Sequence, residues 1–356
     1  MNEITFGPGA YDLPSPDPRR LTEWLGYKTK SKSIKLIDIT QLHGGALHEN
    51  WICKFLFHDG TFNGKQEFVL RMASRSKLPQ SLNLSQEFNL LRFLSKTPIL
   101  VPKVFFLAPP STVSDKEVLF MEVLKGTTSP NGVQKNAFGD ENKNKMTRLL
   151  GQYLAHIHNV LPDTSDLIFL TTPQISSVNQ NILVFKNILD TLPTPLPLLE
   201  WAIRWLDRNA PAQHELVLSH GDFRIGNILF NGSSLSGILD WEFASWGNPL
   251  EDIGWLCARC WRYGNDSKQV GGIGELSEFI AGYSEISSRT IDWSQLPYWE
   301  ILATVKWAVI AHQQGQRRLS GRTKQLELLL TGQKADELEY DILTQIKNFD
   351  GTTHAR

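Results

Sequence analysis

Apolar residues alternate with polar ones in short runs through the first part of the chain, which predicts β-strands there. The runs SIKLIDIT and NWICKFLF are joined by QLHGGALHE, so we expect a hairpin with an unusual, glycine-containing turn. QEFVLRMA predicts a strand that ends near Ala73, and KEVLFMEVLKG predicts another that stops at Gly126. Between these two strands, a helix is predicted by the spacing of Leu84, Phe88, Leu91 and Leu94.

The second half of the chain has a different pattern. The polar segment TTSPNGVQKNAFGDENKNK separates it from the first half, and most later segments outside one short β-rich patch have helical periodicity. The first apolar stripe at helical spacing consists of Met146, Leu149, Leu150, Tyr153, Leu154 and Ile157. A strand-rich half followed by a helix-rich half predicts an α+β protein with two lobes and a cleft between them.

The composition favours a globular protein and does not favour a nucleic-acid or membrane partner. Of 356 residues, 41% are apolar, and 36 basic residues nearly balance 37 acidic ones. No apolar run reaches the roughly eighteen residues that a membrane span needs. The start MNEITFGPGAYD lacks the basic and apolar regions of a secretory signal. We therefore expect a cytoplasmic protein, and the oligomeric state cannot be read from the sequence.

The cysteines and histidines argue against metal or disulfide chemistry. Cys257 and Cys260 form the motif CARC, but it lies in WLCARCW, whose apolar, Trp-rich pattern predicts a buried helix with inert thiols. With Cys53, the chain has three cysteines, one short of a four-thiolate zinc site. His156 and His158 are two positions apart, so on a helix they face different directions and cannot share a metal.

The strongest chemical signal is LVLSHGDFRIGNILF, in which two apolar strand-like runs flank HGDFRIGN. His220, Asp222 and Asn227 fit the HxDxxxxN arrangement of kinase catalytic loops, which supplies a carboxylate for the hydroxyl proton and an amide oxygen for magnesium. After a polar turn, the strand LSGILD delivers Asp240, and a hairpin of this length would bring Asp240 and Asn227 to neighbouring strand ends. The alternative is a solvated turn with ordinary Asp and Asn turn residues.

These motifs resemble a known family. HGDFRIGNILF and ILDWEFASWGNPLEDIGWL are similar to sequences of the aminoglycoside phosphotransferase and choline kinase-like family of small-molecule kinases. More narrowly, CARCWRYG, VGGIGE and VKWAVIA resemble a branch found beside, or fused to, acyl-CoA dehydrogenases. The resemblance implies a protein kinase-like two-lobed fold: residues 1–121 as a lead-in and nucleotide-binding β-rich lobe, 122–126 as a hinge, and 127–356 as a helical lobe with the catalytic loop and acceptor site.

The same resemblance implies roles in the second lobe. Asp222 would be the catalytic base, His220 would shape its loop, and Asn227 and Asp240 would be the Mg²⁺ ligands. Asp252, in NPLEDIGWL, matches an acidic residue that braces the catalytic loop. Arg224 stands where protein kinases carry a lysine near the transferred phosphoryl group, and its alternative is an ordinary surface arginine.

In the first lobe, Gly44 and Gly45 resemble the loop that covers the nucleotide, although a plain hairpin turn has the same pattern. FVLRMA resembles the strand whose basic residue grips the α- and β-phosphates, which places Arg71 there, with Lys54 and Lys65 as alternatives. Glu87 matches the acidic partner of that base, and the alternative is a glutamate favoured by a helix start.

FMEVLKG resembles the connector between the lobes. Met121 would line the adenine pocket, and the backbones of Glu122 and Leu124 would bind the base. A buried strand that ends in a glycine turn is the alternative. The resemblance implies ATP as the nucleotide, with GTP as the second choice, and Mg²⁺.

The acceptor is less constrained. The segment between Trp255 and Lys324 contains nine basic and six acidic residues. Its net charge of +3 favours an anionic or CoA-linked hydroxyl acceptor, such as a hydroxy acid or hydroxyacyl thioester. The alternatives are an aminoglycoside kinase and a catalytically silent nucleotide-binding module. A protein kinase is disfavoured because ILDWE stands where the DFG motif would be, and the sequence that follows it leaves no room for an activation loop.

Overall fold

The computed structural model describes residues 16–42, 48–73, 81–135, 139–212, 215–320 and 326–354. The chain divides into two compact units. The first combines the segments Met1–Pro79, Asn83–Phe88 and Lys103–Val123, and the second combines Gln80–Leu82, Asn89–Pro102 and Leu124–Arg356. The predicted hinge at 122–126 contains this last division, and its role as a hinge stays a prediction.

The first unit contains one antiparallel sheet. Its strands lie in the order β1-β2-β3-β5-β4, and helix α1 precedes them along the chain. Helix α2 begins in this unit. The elements are α1 (Pro18–Thr29), β1 (Ser33–Leu42), β2 (Glu49–His58), β3 (Gly64–Met72), α2 (Leu84–Leu94), β4 (Val104–Ala108) and β5 (Val118–Glu122).

The alternation in β2 explains how this sheet is held together. Cys53, Phe55 and Phe57 point to one face and are buried, as the period of two requires. Trp24 of α1 stacks on Phe120 of β5 with 5.4 Å between ring centroids, so the helix covers the aromatic face of the sheet.

The second unit is mostly helical, with two small pairs of strands. β6 pairs with β9, and β7 pairs with β8 as a hairpin. The elements are α3 (Pro130–Lys135), α4 (Asp140–His158), α5 (Ser177–Asp190), α6 (Pro197–Arg208), β6 (Val217–Ser219), β7 (Ile228–Asn231), β8 (Ser234–Ile238), β9 (Ser245–Gly247), α7 (Pro249–Cys257), α8 (Leu276–Ile286), α9 (Leu296–Leu319), α10 (Leu326–Gln333) and α11 (Ala335–His354).

Two glycines bring α4 and α8 into backbone contact. A Cβ atom at Gly151 would collide with the carbonyl oxygen of Phe279, and one at Gly282 would collide with that of Arg148. Only glycine allows the two helices to approach this closely.

Several expectations are met, and some are corrected. A strand-rich unit and a mostly helical unit confirm the predicted α+β organisation. Strand β4 was not predicted. The expected helix through WLCARCW is wrong beyond Cys257, because α7 ends there and a short 3-10 turn, Arg259–Trp261, follows. Among the described residues, no helix combines the length and apolar character needed to cross a membrane.

The two cysteines of CARC lie at the end of α7 and in the 3-10 turn after it, and neither forms a disulfide. Burial raises the pKa of both thiols, to about 12 for Cys260. A protonated, buried thiol is a poor nucleophile and a poor metal ligand. The environment of these cysteines is therefore that of packing residues.

Candidate active site

The loop after β6 and the β7–β8 hairpin bring Asn227 and Asp240 to one place. Asn227 ends a 3-10 turn immediately before β7, and Asp240 follows β8 by two residues. The backbone N–H of Leu239 donates to the carbonyl oxygen of Asn227 at 2.8 Å, so Asp240 follows directly on the residue that pairs with Asn227. Asp240 has φ +65°, in the left-handed region that aspartate tolerates better than most residues.

Asn227 is bound to Asp222. Its Nδ2 donates to Oδ2 of Asp222 at 2.6 Å and to the Asp222 carbonyl oxygen at 3.0 Å. Both partners are acceptors, so the amide can be oriented in only one way. Its Oδ1 therefore remains as an oxygen that could coordinate a cation.

Arg224 and Trp255 also hold the Asp222 carboxylate. Nε of Arg224 lies 3.0 Å from Oδ1, and the indole Nε1 of Trp255 donates to the same oxygen at 2.7 Å. The Arg224 guanidinium lies over the Trp261 ring, with 4.7 Å from Cζ to the centroid. Burial is the largest single influence and opposes the charge of Arg224, but the interactions with Asp222 and Tyr263 together outweigh it and raise the pKa of the guanidinium. Arg224 is thus an ion-paired, stacked residue and not an ordinary surface arginine.

Asp252 braces the loop through backbone bonds. Its carboxylate accepts from the N–H of His220 at 2.7 Å and from the N–H of Gly221 at 2.9 Å. Gly221 has φ +79°, and a Cβ there would collide with Phe243, so glycine is required. Asn248 and Glu251 form a capping box that begins α7 and so places Asp252 in its first turn.

Asp252 also accepts from a buried histidine. Nε2 of His158 lies 3.4 Å from Oδ2 of Asp252, and Nδ1 lies 2.9 Å from the Tyr283 hydroxyl. Burial lowers the pKa of His158, so a neutral ring donates to Asp252 and accepts from Tyr283. Burial alone would raise the pKa of Asp252, but the bonds from His158 and His220 outweigh it and lower that pKa.

His220 connects the loop to the hairpin. Its Nε2 donates to the carbonyl oxygen of Leu239 at 3.0 Å, and its Nδ1 accepts from the N–H of Asp222 at 3.2 Å. Burial lowers the pKa of His220, which agrees with a neutral ring in this tautomer. The ring also packs against Trp241 in a tilted arrangement, with 4.6 Å between centroids.

In the first unit, Arg71 of β3 and Glu87 of α2 are close together. Nε of Arg71 lies 3.3 Å from Oε2 of Glu87, and both side chains are buried. Lys54 instead lies 3.6 Å from Asp38 on the neighbouring strand, and Lys65 is exposed. Of the three bases that the sequence left open, Arg71 is the one that pairs with Glu87.

The residues expected to contact the nucleotide base lie at the end of β5 or just after it. Met121 is buried, and the Glu122 N–H donates to the carbonyl oxygen of Lys103 at 2.8 Å. The amide of Glu122 is therefore already used within the sheet. Leu124 begins the long C-terminal segment of the second unit and packs against Gly237 of β8. Gly44 and Gly45 lie outside the described residues.

Part of the positive charge that the sequence places near the acceptor lies in ion pairs. Four of the nine counted basic residues are paired: Arg259 with Asp266 and Asp341, Arg262 with Glu300, Lys268 with Glu275, and Arg289 with Glu215. In the described part of the chain, Arg224 pairs with Asp222, and Lys306 donates from Nζ to the Gly221 carbonyl oxygen at 2.9 Å.

Sequence reasoning missed Trp255, Lys306, His158 and Tyr283. Trp255 lies three positions after Asp252, and residues at this spacing share one face of a helix, so the pattern contained a signal for it. No local pattern indicates Lys306 or Tyr283, because their partners lie far away in the chain. Across the described ranges, no three His, Cys, Asp or Glu side chains form a group that could hold a metal ion.

Comparison with known proteins gives the family. The model of the phosphotransferase enzyme family, APH, matches residues 38–288. A curated Arabidopsis thaliana protein, probable acyl-CoA dehydrogenase IBR3, is 30% identical over 215 residues, which are 57% of this chain and 26% of that protein. The chain spans less than half the length of the curated relatives first matched, which include mammalian acyl-CoA dehydrogenase family members.

Solved structures give the fold. A Ralstonia eutropha protein assigned to the aminoglycoside phosphotransferases has a TM-score of 0.73 at 17% identity, covering 94% of this chain and 99% of that one. APH(2")-IIia, solved with GDP and kanamycin, has a TM-score of 0.60 at 17% identity, covering 88% and 94%. These likenesses confirm the predicted kinase-like two-lobed fold. With a family model that matches more than half of its residues, the chain belongs to the phosphotransferase enzyme family.

Proposed function

We propose that this chain is an ATP- and Mg²⁺-dependent phosphotransferase that transfers the γ-phosphoryl group to a hydroxyl group of a small molecule. The observation that carries the proposal is the arrangement around Asp222: a carboxylate on a braced loop, bound to Asn227, with Asp240 next to the pairing partner of Asn227. Phosphoryl transfer needs mainly positioning and charge stabilisation, and these residues supply both.

In this mechanism Asp222 orients the acceptor hydroxyl and takes its proton as the new O–P bond forms and the bond to the leaving nucleoside diphosphate breaks. His220 and Asp252 act through the loop and hold Asp222 in place. Arg224 would stabilise negative charge on the transferred group, which requires its guanidinium to shift from Asp222 toward the phosphate.

The donor set suits magnesium. Asn227 offers Oδ1 and Asp240 offers a carboxylate, and Mg²⁺ prefers oxygen ligands, commonly one or two carboxylates together with substrate phosphates. When bound, the ion would neutralise charge on the nucleotide phosphates. In the first unit, Arg71, oriented by Glu87, is the proposed phosphate-binding base, since a buried guanidinium keeps its charge and can bridge two oxygens.

The nucleotide and the acceptor are proposed on different grounds. Solved relatives with GDP and with ADP support a purine nucleotide, so GTP is the alternative to ATP. For the acceptor, Arg224 and Lys306 lie at the Asp222 loop, and two cations disfavour a polycationic aminoglycoside there. A hydroxy acid or hydroxyacyl thioester fits better, and the relatives named as acyl-CoA dehydrogenases support the same choice.

The test is a matrix of nucleotide, metal and acceptor. ATP and GTP would be offered with Mg²⁺ or EDTA to the parent and to Asp222→Asn, with hydroxy acids, their CoA thioesters and kanamycin as acceptors. Product formation would be followed by nucleoside diphosphate release and by ³¹P NMR of the phosphorylated acceptor. Turnover of a hydroxy acid or thioester by the parent protein, but not by Asp222→Asn, supports the proposal. Turnover of kanamycin alone would make the protein an aminoglycoside kinase, and nucleotide binding without any transfer would favour a silent module.

A further inference from the structure

Trp255 is a candidate for a second kind of role at this site. We propose that Trp255 is a positioning residue, whose indole N–H holds the Asp222 carboxylate in the orientation that receives the acceptor proton, and that Lys306 fixes Trp255 against the loop. The inference rests on the proposed role of Asp222, because Trp255 acts through that carboxylate and Lys306 acts through Trp255 and the loop.

The two oxygens of Asp222 are held from two different elements. Trp255, on α7, donates to Oδ1 at 2.7 Å, and Asn227, in the turn before β7, donates to Oδ2 at 2.6 Å. Both distances are in the short range of hydrogen bonds to a charged acceptor. Because each oxygen has a separate fixed donor, the carboxylate cannot rotate about its terminal torsion without losing one of them. Arg224 also contacts the carboxylate, but a residue proposed to shift toward phosphate cannot hold this orientation through the reaction.

Trp255 is itself rigid. It is 4% exposed, and its ring packs against those of Trp261 and Trp307, at 5.2 and 6.3 Å between centroids. Asp252, one turn earlier on α7, holds the backbone N–H groups of the two residues before Asp222. One helix face therefore fixes the backbone of the loop through Asp252 and the reactive side chain through Trp255.

Lys306 of α9 connects these parts. Its Nζ donates to the carbonyl oxygen of Gly221 at 2.9 Å and lies 4.6 Å from the centroid of the Trp255 ring. A cation over an indole ring is attracted by the π system, and the attraction strengthens when the pair is shielded from water. The ammonium group thus contacts both the Trp255 ring, which donates to Asp222, and Gly221, which immediately precedes Asp222. It holds these two groups at a fixed separation.

The main test compares two Trp→Phe variants. Trp255→Phe keeps an aromatic ring and removes the donor, and we expect kcat/KM for phosphoryl transfer to fall about 10-fold or more, with unchanged nucleotide affinity. Trp205→Phe is the matched control, because the Trp205 indole donates to a carboxylate of the same kind, Asp350, at 3.2 Å and contacts nothing in the loop. The control should keep the kcat/KM of the parent. Parent kcat/KM in Trp255→Phe would overturn the inference.

A rescue variant separates the hydrogen bond from packing. Trp255→His places an N–H at the matching ring position, so at pH 8 it should transfer phosphate faster than Trp255→Phe, although the smaller ring packs less well. If Trp255→His is no faster than Trp255→Phe, the donor is not what matters and the inference fails. Thermal unfolding of both variants shows whether they are folded to the same extent.

A final experiment needs no acceptor. In ¹⁵N–¹H spectra of the parent, the indole signal lost in Trp255→Phe should shift on Asp222→Asn and on Lys306→Met, whereas the Trp205 signal should not. An unmoved Trp255 signal would overturn the inference and leave the proposed function intact. Conversely, a moved signal together with no transfer to any acceptor would refute the proposed function and keep the contact.

Discussion

Asn227 donates its side-chain amide to the carboxylate of Asp222, with 2.6 Å between Nδ2 and Oδ2. The same amide keeps Oδ1 for a cation, so one residue joins the candidate base to the candidate metal site. Variants of Asp222 and of Asp240 can therefore test the candidate base and the candidate metal site separately.

Asp222→Asn should lower the turnover rate about 10²-fold or more, as expected for the loss of a positioned base. Nucleotide binding should survive, because the proposed metal ligands and Arg71 are unchanged. Steady-state kinetics give the turnover, and calorimetric titration with the nucleotide gives the affinity. Exposed Asp163 supplies a matched control, since Asp163→Asn makes the same chemical change away from the loop. Equal turnover of Asp222→Asn and parent would remove Asp222 from the mechanism.

Asp240→Asn should instead abolish the Mg²⁺-dependent part of nucleotide binding. Asparagine tolerates the left-handed backbone at this position and keeps the size of the side chain, so the change removes mainly the charge. The measurement is the nucleotide-induced rise in Tm with Mg²⁺ and with EDTA. EDTA should remove most of the rise in the parent and change little in Asp240→Asn. A variant that retains the full Mg²⁺-dependent rise would show that Asp240 is not a ligand.

Gly226→Ala should mimic the loss of Arg224. A Cβ at Gly226 would collide with Nη1 of Arg224, and a flexible side chain yields more easily than backbone, so the guanidinium should leave Asp222 while the fold persists. We expect kcat/KM to fall about 10-fold, as it should in Arg224→Gln. Gly351→Ala in α11, where a Cβ meets nothing, is the matched glycine control. Full activity in Gly226→Ala together with reduced kcat/KM in Arg224→Gln would show that Arg224 does not need its contact with Asp222.

Stability should depend on pH through two buried histidines. Burial lowers the pKa of both His158 and His220, so between their folded values and the unfolded value of about 6.5 the unfolded chain binds more protons. The free energy of unfolding should therefore be highest above about pH 6.5 and fall as the pH drops below it, by up to about 1.4 kcal/mol per pH unit for each histidine. Asp252, whose pKa is lowered, adds a second loss below about pH 4.

Urea unfolding at several pH values between 5 and 8 measures this slope. His158→Gln should be less stable than the parent at pH 8 and should show a smaller fall toward pH 5, because one titrating group is gone. His58→Gln, at an exposed position, should leave the slope unchanged. A parent whose free energy of unfolding is flat from pH 8 to 5 would contradict the prediction.

Much of the fold was readable because local pattern and tertiary role agree. The paired strands at residues 33–42 and 49–58 and the hairpin after Asn227 have alternating or apolar runs bounded by turn residues, and they form as expected. Strand β4 was missed because VFFLA is short and lies between prolines, which are read as breaks. The end of α7 at Cys257 was missed because WLCARCW is apolar except for Arg259, and an apolar pattern does not distinguish a helix from a 3-10 turn.

The site was readable only where its residues are close in sequence. One continuous strand–loop–hairpin segment contains Asp222, Asn227 and Asp240. Their spacing in the sequence therefore indicated that they lie close together. The ring of His158 and the ammonium of Lys306 reach the loop from α4 and α9, which local spacing cannot indicate. The net charge of the C-terminal segment is incomplete for the same reason, since two acidic partners of its basic residues, Asp341 and Glu215, lie outside the segment that was counted.

The crossing of α4 and α8 at Gly151 and Gly282 has a consequence for any attempt to redesign this protein. His158 is the last residue of α4, and Tyr283 follows Gly282 in α8. The crossing therefore holds in place the hydrogen bonds that connect Tyr283 to His158 and His158 to Asp252, which braces the loop. A mutational scan of the whole chain should find these two remote glycines as intolerant as the loop itself. Libraries built to change the acceptor should therefore leave this crossing unchanged.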